Sequence, residues 1–365
     1  MRYRRTLIFA LSTLLIATAW PQFALANSQI TTFDAPGAGT GAGQGTLPQQ
    51  NLNSGTIVGY YVDANNVHHG FIRSAHGKFT TFDAPGAAGT LVFGINHEGT
   101  TVGYSADANG VFHGFVRDDD GNFISFDVSG AGTAKGQGTL AFAINRRGTV
   151  SGIYFDGNGV LHGFERSRHG SITSFDPVGS VNTIGDTLGI NEAGAISGAY
   201  FDASGVLHGY VRDPEGAITS FDAPGAGTTA GNGTVASMIN DAGTVPGVSF
   251  DNNGVAHGFI RSSDGTFVTF DVSGAGTGPG QGTTAAVTNL AGTTAGNYID
   301  ANGVSHGFVR SRHGSITAYD VPGAGTGPGQ GTTASPSINA EGVIAGYYTD
   351  ANGATHGYMR GREDD

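Results

Sequence analysis

The chain has 365 residues, with 17 Lys and Arg against 29 Asp and Glu, a net charge of −12, no cysteine and a single tryptophan. That composition excludes disulfides and thiolate metal sites as staples of the fold, and its acidity argues against nucleic acid or anionic membrane as a partner. The 64 glycines and 12 prolines stay below the share of low-complexity disorder, and most glycines recur at fixed offsets from apolar and aromatic residues, as turns between strands do.

The first 26 residues carry a basic start (Arg2, Arg4, Arg5), an apolar run from Leu7 to Trp20, and the small-residue pattern Ala24-Leu25-Ala26 ahead of Asn27. This is the pattern of an export signal, and the run is short of the ~20 residues a bilayer crossing takes. The reading is a signal peptide over residues 1–26 and a single mature domain over residues 27–365, secreted or periplasmic after cleavage near Ala26. Loss of three arginines from the 17 basic residues leaves 14 against 29 acidic ones, a net charge of −15.

The mature chain opens with a lone strand, Gln29 to Asp34. After it His-Gly-Phe or His-Gly-Tyr occurs seven times, beginning at His69, His113, His162, His208, His257, His306 and His356, with spacings of 44, 49, 46, 49, 49 and 50. A period in this range belongs to propeller blades rather than to short-repeat solenoids. One full copy, Thr139 to Asp176, reads as four strands: A (Leu140 to Asn145), B (Thr149 to Asp156), C (Val160 to Ser167) and D (Ser171 to Asp176). The turns between them are tight, so neighbours run antiparallel. In strand A, Leu140, Phe142 and Ile144 alternate with Ala141 and Ala143, the period of a strand. The chain ends just after a C strand, His356 to Arg360, so one copy is split between the termini. A ring uses such a split as a clasp that removes unpaired sheet edges, whereas a parallel β-helix would not need three hairpin turns per repeat. The expected fold is all-β: a seven-bladed β-propeller of four-stranded antiparallel blades, closed by pairing of the N-terminal strand with the C-terminal blade.

The interval from each His to the Asp ending strand D is 14 in all six complete C-to-D hairpins. A three-residue turn with Gly third, as in Ala75-His76-Gly77, then sets His69 opposite Asp83. The same rule at Ala108-Asn109-Gly110 sets His113 opposite Ser105 and Phe115 opposite Gly103. In the other copies the residue facing His is Tyr61, Tyr154, Tyr200, Ser249, Tyr298 or Tyr348. Each copy is thus expected to carry a hydroxyl, an imidazole and a carboxylate in a row. Ser105, His113 and Asp127, or Ser249, His257 and Asp271, have the composition of a nucleophile triad. A row repeated seven times, usually with Tyr in place of Ser, reads instead as a structural hydrogen-bond network.

Ile-Asn, two residues and Gly, then Gly before an Asp turn, then His-Gly-Phe: this pattern resembles the HAF-repeat extracellular proteins of bacteria, with Gly where that family name has Ala. The resemblance covers essentially the whole mature chain. It implies export and a repeat fold, and it carries over no catalytic residue.

Strand A is expected to line the central channel, and it offers mainly Leu, Val, Ala, Ser, Thr and Gln, with Asp186 the one carboxylate. The histidines outside the motif, His68, His76, His97, His169 and His313, are read as turn residues in water. No catalytic, cofactor-binding or metal-ligating set is assigned, and no cofactor is expected. The acids ending strands B and D offer Ca²⁺ only a weak set of oxygens, since turn N–H groups engage them first. The rim with the A-to-B and C-to-D turns carries the residues that differ most between copies, Arg146, Arg147, Asp118 and Glu215 among them. The functional reading is a secreted noncatalytic β-propeller binding or scaffold module whose ligand is extracellular, a glycan or a cell-surface protein, with no nucleic acid and no membrane insertion. The alternative is a secreted hydrolase or lyase using the mouth of the central channel.

Overall fold

The computed structural model describes residues 29–334 and 337–361. The side chains of residues 185–188, Asp186 among them, lie outside that description, as do residues 1–28, where the export segment falls. The described residues form 28 strands and no helix, and so no helix long and apolar enough to cross a membrane.

After β1 (Ile30–Phe33) the strands come in sets of four. The first unit is β2 (Gly45–Asn51), β3 (Ile57–Val62), β4 (His68–Arg73) and β5 (Phe79–Phe82). The second is β6 (Gly89–Ile95), β7 (Thr101–Ala106), β8 (Phe112–Arg117) and β9 (Phe123–Phe126). The third is β10 (Gly138–Ile144), β11 (Val150–Phe155), β12 (Leu161–Arg166) and β13 (Ile172–Phe175), and β14 to β25 repeat that order over residues 182–319. The last set, β26 (Gly331–Thr333), β27 (Ile344–Thr349) and β28 (Thr355–Arg360), has three strands of its own. Its fourth is β1, laid antiparallel on β28 with Ile30 facing Arg360 and Phe33 facing Gly357.

Within each unit the turns fix the register. Asp156 Oδ1 accepts the N–H groups of Asn158 and Val160, both at 2.8 Å, and Gly159 takes a positive φ of 82°, which costs a glycine nothing. The register is the expected one: Ser105 faces His113, and Gly103 faces Phe115. Single parallel bridges join adjacent units, such as Gly138 to Phe112 and Gly45 to Thr355. Gly138 has a φ of 122°, and a Cβ there would run into the Phe112 carbonyl. Ladders and bridges together make one 20-stranded and one 8-stranded sheet.

Strand A departs from simple alternation. A bulge between Ala141 and Ala143 leaves Phe142 without a partner across the ladder, and Phe93 holds the same place in the second unit. A bulge re-aims its side chain, and these two rings meet at 5.1 Å.

The core lies between units rather than within them. Val102 of the second unit packs with Ala141, Ile144, Val150 and Phe164 of the third, and Ala345 of the last packs with Ile57, Tyr61 and Phe71 of the first. The strand-C aromatics Phe71, Phe115, Phe164, Tyr210, Phe259, Phe308 and Tyr358 are fully buried, each worth roughly 1.5–3 kcal/mol of transfer free energy. Their rings cover strand-B glycines, as Phe164 covers Gly152.

One contact recurs at every junction between units. The arginine four residues after each motif histidine lays its guanidinium over the strand-D aromatic of the preceding unit. Arg117 lies 4.5 Å from the Phe82 centroid, Arg166 4.8 Å from Phe126, and Arg212 5.0 Å from Phe175. Arg261 stands over Phe221 at 4.7 Å, Arg310 over Phe270 at 4.9 Å and Arg360 over Tyr319 at 4.6 Å. Arg73 of the first unit stands over Phe33 of β1 at 4.6 Å. Five of these arginines have a buried Nε without a hydrogen-bond partner, Arg73, Arg117, Arg166, Arg261 and Arg310, so the aromatic face is a principal stabiliser of their charge.

Removing residues 29–34 takes away β1 and the Phe33 ring beneath Arg73. The melting temperature is expected to fall by at least about 5 °C; a melting curve like that of the intact chain would contradict a structural role for the β1–β28 ladder.

Candidate functional site

On the rim formed by the B-to-C turns and D-to-A links, each motif histidine stands between two carboxylates. His69 Nδ1 lies 2.9 Å from Asp83 at the end of strand D, and its Nε2 lies 3.7 Å from Asp63 at the end of strand B. In the third unit the distances are 2.7 Å to Asp176 and 3.8 Å to Asp156. His356 meets Asp34 at 3.0 Å, across the two ends of the chain. The facing tyrosine stacks on the imidazole, Tyr61 on His69 at 4.9 Å and 25°.

The expected pairs therefore form, but the rows differ in two respects. The pair is half exposed, with 52% of the Asp83 side chain and 21% of His69 open to water, so removing one partner costs less than it would in a core. The hydroxyl also stands outside the row: Tyr200 donates to Ser220 Oγ at 3.2 Å, and Ser249 Oγ donates to the His257 carbonyl at 3.5 Å. A nucleophile would direct that proton to the imidazole; Ser249 directs it to the backbone.

The strand-B carboxylates lie below the usual aspartate range. For Asp63, Asp107, Asp156, Asp202, Asp251 and Asp300 the largest cause is the N–H of the valine four residues on, supported by the N–H two residues on and the adjacent histidine. Among the described residues no three His, Asp or Glu side chains gather as a metal set.

At the opposite rim the Ile-Asn motif does what the sequence did not disclose. Each asparagine caps its own turn through Oδ1, as Asn145 accepts the Thr149 N–H at 3.0 Å, and five of the six, from Asn145 onward, reach the next unit through Nδ2. Asn145 donates to the Asn191 carbonyl at 3.1 Å, Asn191 to that of Asn240 at 3.2 Å, and Asn289 to that of Asn339 at 3.1 Å. Asn339 reaches the Leu52 carbonyl at 3.4 Å. Leu52 replaces the asparagine in the first unit, where Ser337 Oγ donates to Asn51 Oδ1 across the chain ends. The girdle lines a cavity of about 260 Å³ whose variable residues largely bind one another. Arg146 Nη2 lies 2.9 Å from His97, and the Arg146 and Glu192 N–H groups donate to Glu192 and Asp241 at 3.0 and 2.8 Å.

A second cavity, about 520 Å³, opens on the rim of histidine rows above the first two units. It opens beside one of the two short links of the chain. In four of the five longer links a glutamine covers the B-to-C turn that follows, as Gln44 Nε2 bonds the Ala64 carbonyl at 3.2 Å and Gln137 the Gly157 carbonyl at 3.3 Å. The links into the second and fourth units, Ala84 to Gly89 and Pro177 to Asn182, are equally short and have no such glutamine. The uncovered space has Leu91, Tyr104, Phe112 and His68 on its walls and Asn66 and Lys135 at its edge. Tyr104 and Phe112 meet edge-to-face at 5.3 Å, and Tyr104 stacks on the bulge residue Phe93 at 5.5 Å and 13°. His68 is not a turn residue in water: it lies in β4, half-buried, and burial pushes its imidazole pKa down.

No family model matches the chain, and no curated protein matches its sequence. Among solved structures it is similar to the BP39L lectin from Burkholderia pseudomallei, with a TM-score of 0.56 and 11% identity over 93% of this chain and 98% of that one. The chain has an all-β, propeller-like fold. A puromycin hydrolase mutant, S511A complexed with PGG, overlays with a TM-score of 0.50 and 12% identity over 85% of this chain, which spans 53% of the hydrolase. Identities this low speak for the propeller-like fold alone.

The depressed strand-B aspartates give acid sensitivity a definite sign. A carboxylate held below its ordinary value of 3.8 stabilises the fold above that value, and the stabilisation disappears as the pH falls through the folded values. Melting temperature is expected to fall on acidification below about pH 4. A melting temperature that rises over that interval would contradict the turn geometry.

Proposed function

We propose that this chain is an exported, noncatalytic binding protein of the HAF-repeat type, whose seven units close into a propeller ring and whose ligand is a glycan. The observation that carries the reading is the engagement of the repeated polar side chains. The motif histidines are held between carboxylates, the girdle asparagines bridge adjacent units, and the motif arginines lie on aromatic rings. These groups serve the frame and leave it rigid, as suits presentation of a binding surface rather than acid–base chemistry.

Closure is supported by the contacts between the first and last units, which are of the same kinds as those elsewhere: Arg73 over Phe33, His356 with Asp34, and Asn51 Nδ2 donating to the Val343 carbonyl at 2.9 Å. Export rests on the basic start, apolar run and Ala24-Leu25-Ala26 pattern. A glycan as ligand is supported by the likeness to the BP39L lectin along nearly the full length of both chains.

The test is a glycan-binding screen of residues 27–365 with hydrolysis assays in parallel. Binding of at least one saccharide without turnover of glycoside, ester or peptide substrates is expected. Turnover abolished by His113→Ala or His257→Ala at unchanged melting temperature would overturn the noncatalytic reading.

A further inference from the structure

Departures from the repeat converge on the cleft above the first two units. The B-to-C turn of the first unit reads Asp63-Ala64-Asn65-Asn66, with Asn66 where the other six units have Gly110, Gly159, Gly205, Gly254, Gly303 and Gly353. Asn66 has a φ of 63°, the one positive value among the described residues other than glycine, a strained conformation that Asn tolerates better than most residues. The short link allows it. In five units the following link packs against the turn glycine, with Ala230 3.2 Å from where a Cβ on Gly205 would sit and Pro328 3.4 Å from one on Gly303, whereas the short links leave that place open in the first unit and in the third, where nothing lies within 4 Å of a Cβ on Gly159. At the position of Ala42, Ala230, Pro279 and Pro328 the second unit instead meets Lys135, whose stem lies 3.0 Å from where a Cβ on Gly110 would sit. Lys135 is the one Lys or Arg in all the B-to-C turns and D-to-A links of the chain.

We propose that this cleft is the ligand site and that it holds one neutral pyranose ring. The apolar face of the sugar lies against Tyr104 and Phe112, and its hydroxyls meet the Asn66 amide and the Lys135 ammonium. The size suits it, since small-ligand sites begin at about 300 Å³ and this cleft has about 520 Å³. Aromatic faces offer a flat apolar surface beside polar tips. Charge selects the neutral sugar: Asp107 lines the cleft together with the single Lys135, so the lining carries no net positive charge to hold a uronate.

The inference rests on the carbohydrate reading above, and the experiment separates the two. Titration calorimetry would measure the mature chain and its Lys135→Ala, Asn66→Gly and Tyr104→Leu variants against neutral methyl hexosides, 6-deoxyhexosides and N-acetylhexosaminides, with methyl hexuronides as the acidic counterparts. The first two variants restore what other units carry at those positions, so the fold is expected to persist, as a melting curve checks. The inference expects each variant to weaken the best neutral glycoside by about tenfold, the loss of one good contact, and expects hexuronides to bind more weakly. If the intact chain binds neutral glycosides and Lys135→Ala and Asn66→Gly bind them equally well, the cleft is overturned while the carbohydrate reading stands. If none binds the intact chain, the carbohydrate reading falls and the sugar occupant with it. Tighter binding of hexuronides overturns the charge argument.

Discussion

A buried guanidinium laid on an aromatic ring of the neighbouring unit is the constraint on which the rest of this structure depends. Arg73, Arg117, Arg166, Arg212 and Arg360 are each no more than 9% exposed, and a charge removed from water needs a partner. The face that each arginine requires is a strand-D aromatic of the preceding unit, 4.5–5.0 Å away. Arg212 adds an ion pair with Glu165 of that unit at 2.7 Å. No unit is complete without a predecessor. A first unit would lack one, and the chain meets the difficulty by placing Phe33 on β1 beside β28, where Arg73 reaches it.

The two rims complement this frame in different ways. Near one, the asparagine girdle ties the innermost strands of successive units together; near the other, buried threonines fasten each link to the next strand A. Val128 N–H donates to Thr139 Oγ1 at 3.0 Å, and Ala223 N–H to Thr234 at 2.9 Å. Where Pro177 removes the donor, the hydroxyl reverses its role and Thr183 donates to Asp176 at 2.6 Å. Such substitutions keep the frame uniform, and the cleft over the first two units lies beside one of the two links too short to cover the neighbouring turn.

Much of this was legible in the sequence because it is local. The interval of 14 from His69 to Asp83, with a three-residue turn, fixed which residues face each other across strands C and D, and the split copy foretold that β1 would lie on β28. The contacts between units were not legible in the same way. Arg166 and Phe126 are 40 positions apart, and nothing in strand periodicity tells which neighbour a face meets. The arginine did stand at the same offset from every motif histidine, which was the available signal. The bulge at Phe142 was hidden because Leu140, Phe142 and Ile144 mimic plain alternation, so Phe93 and Phe142 were not foreseen as part of an aromatic cluster. The exposure of the polar rows was not legible either: sequence counts the partners of Asp83 but not the water at its open side.

The central claim is that the junction between the first and last units is energetically the same kind of contact as the junctions inside the chain. Two double-mutant cycles followed by urea unfolding test it, one on Arg73→Met and Phe33→Leu, the other on Arg166→Met and Phe126→Leu. The account predicts coupling of the same sign and similar size in both, about 0.5–2 kcal/mol. Coupling between Arg166 and Phe126 with none between Arg73 and Phe33 would contradict it.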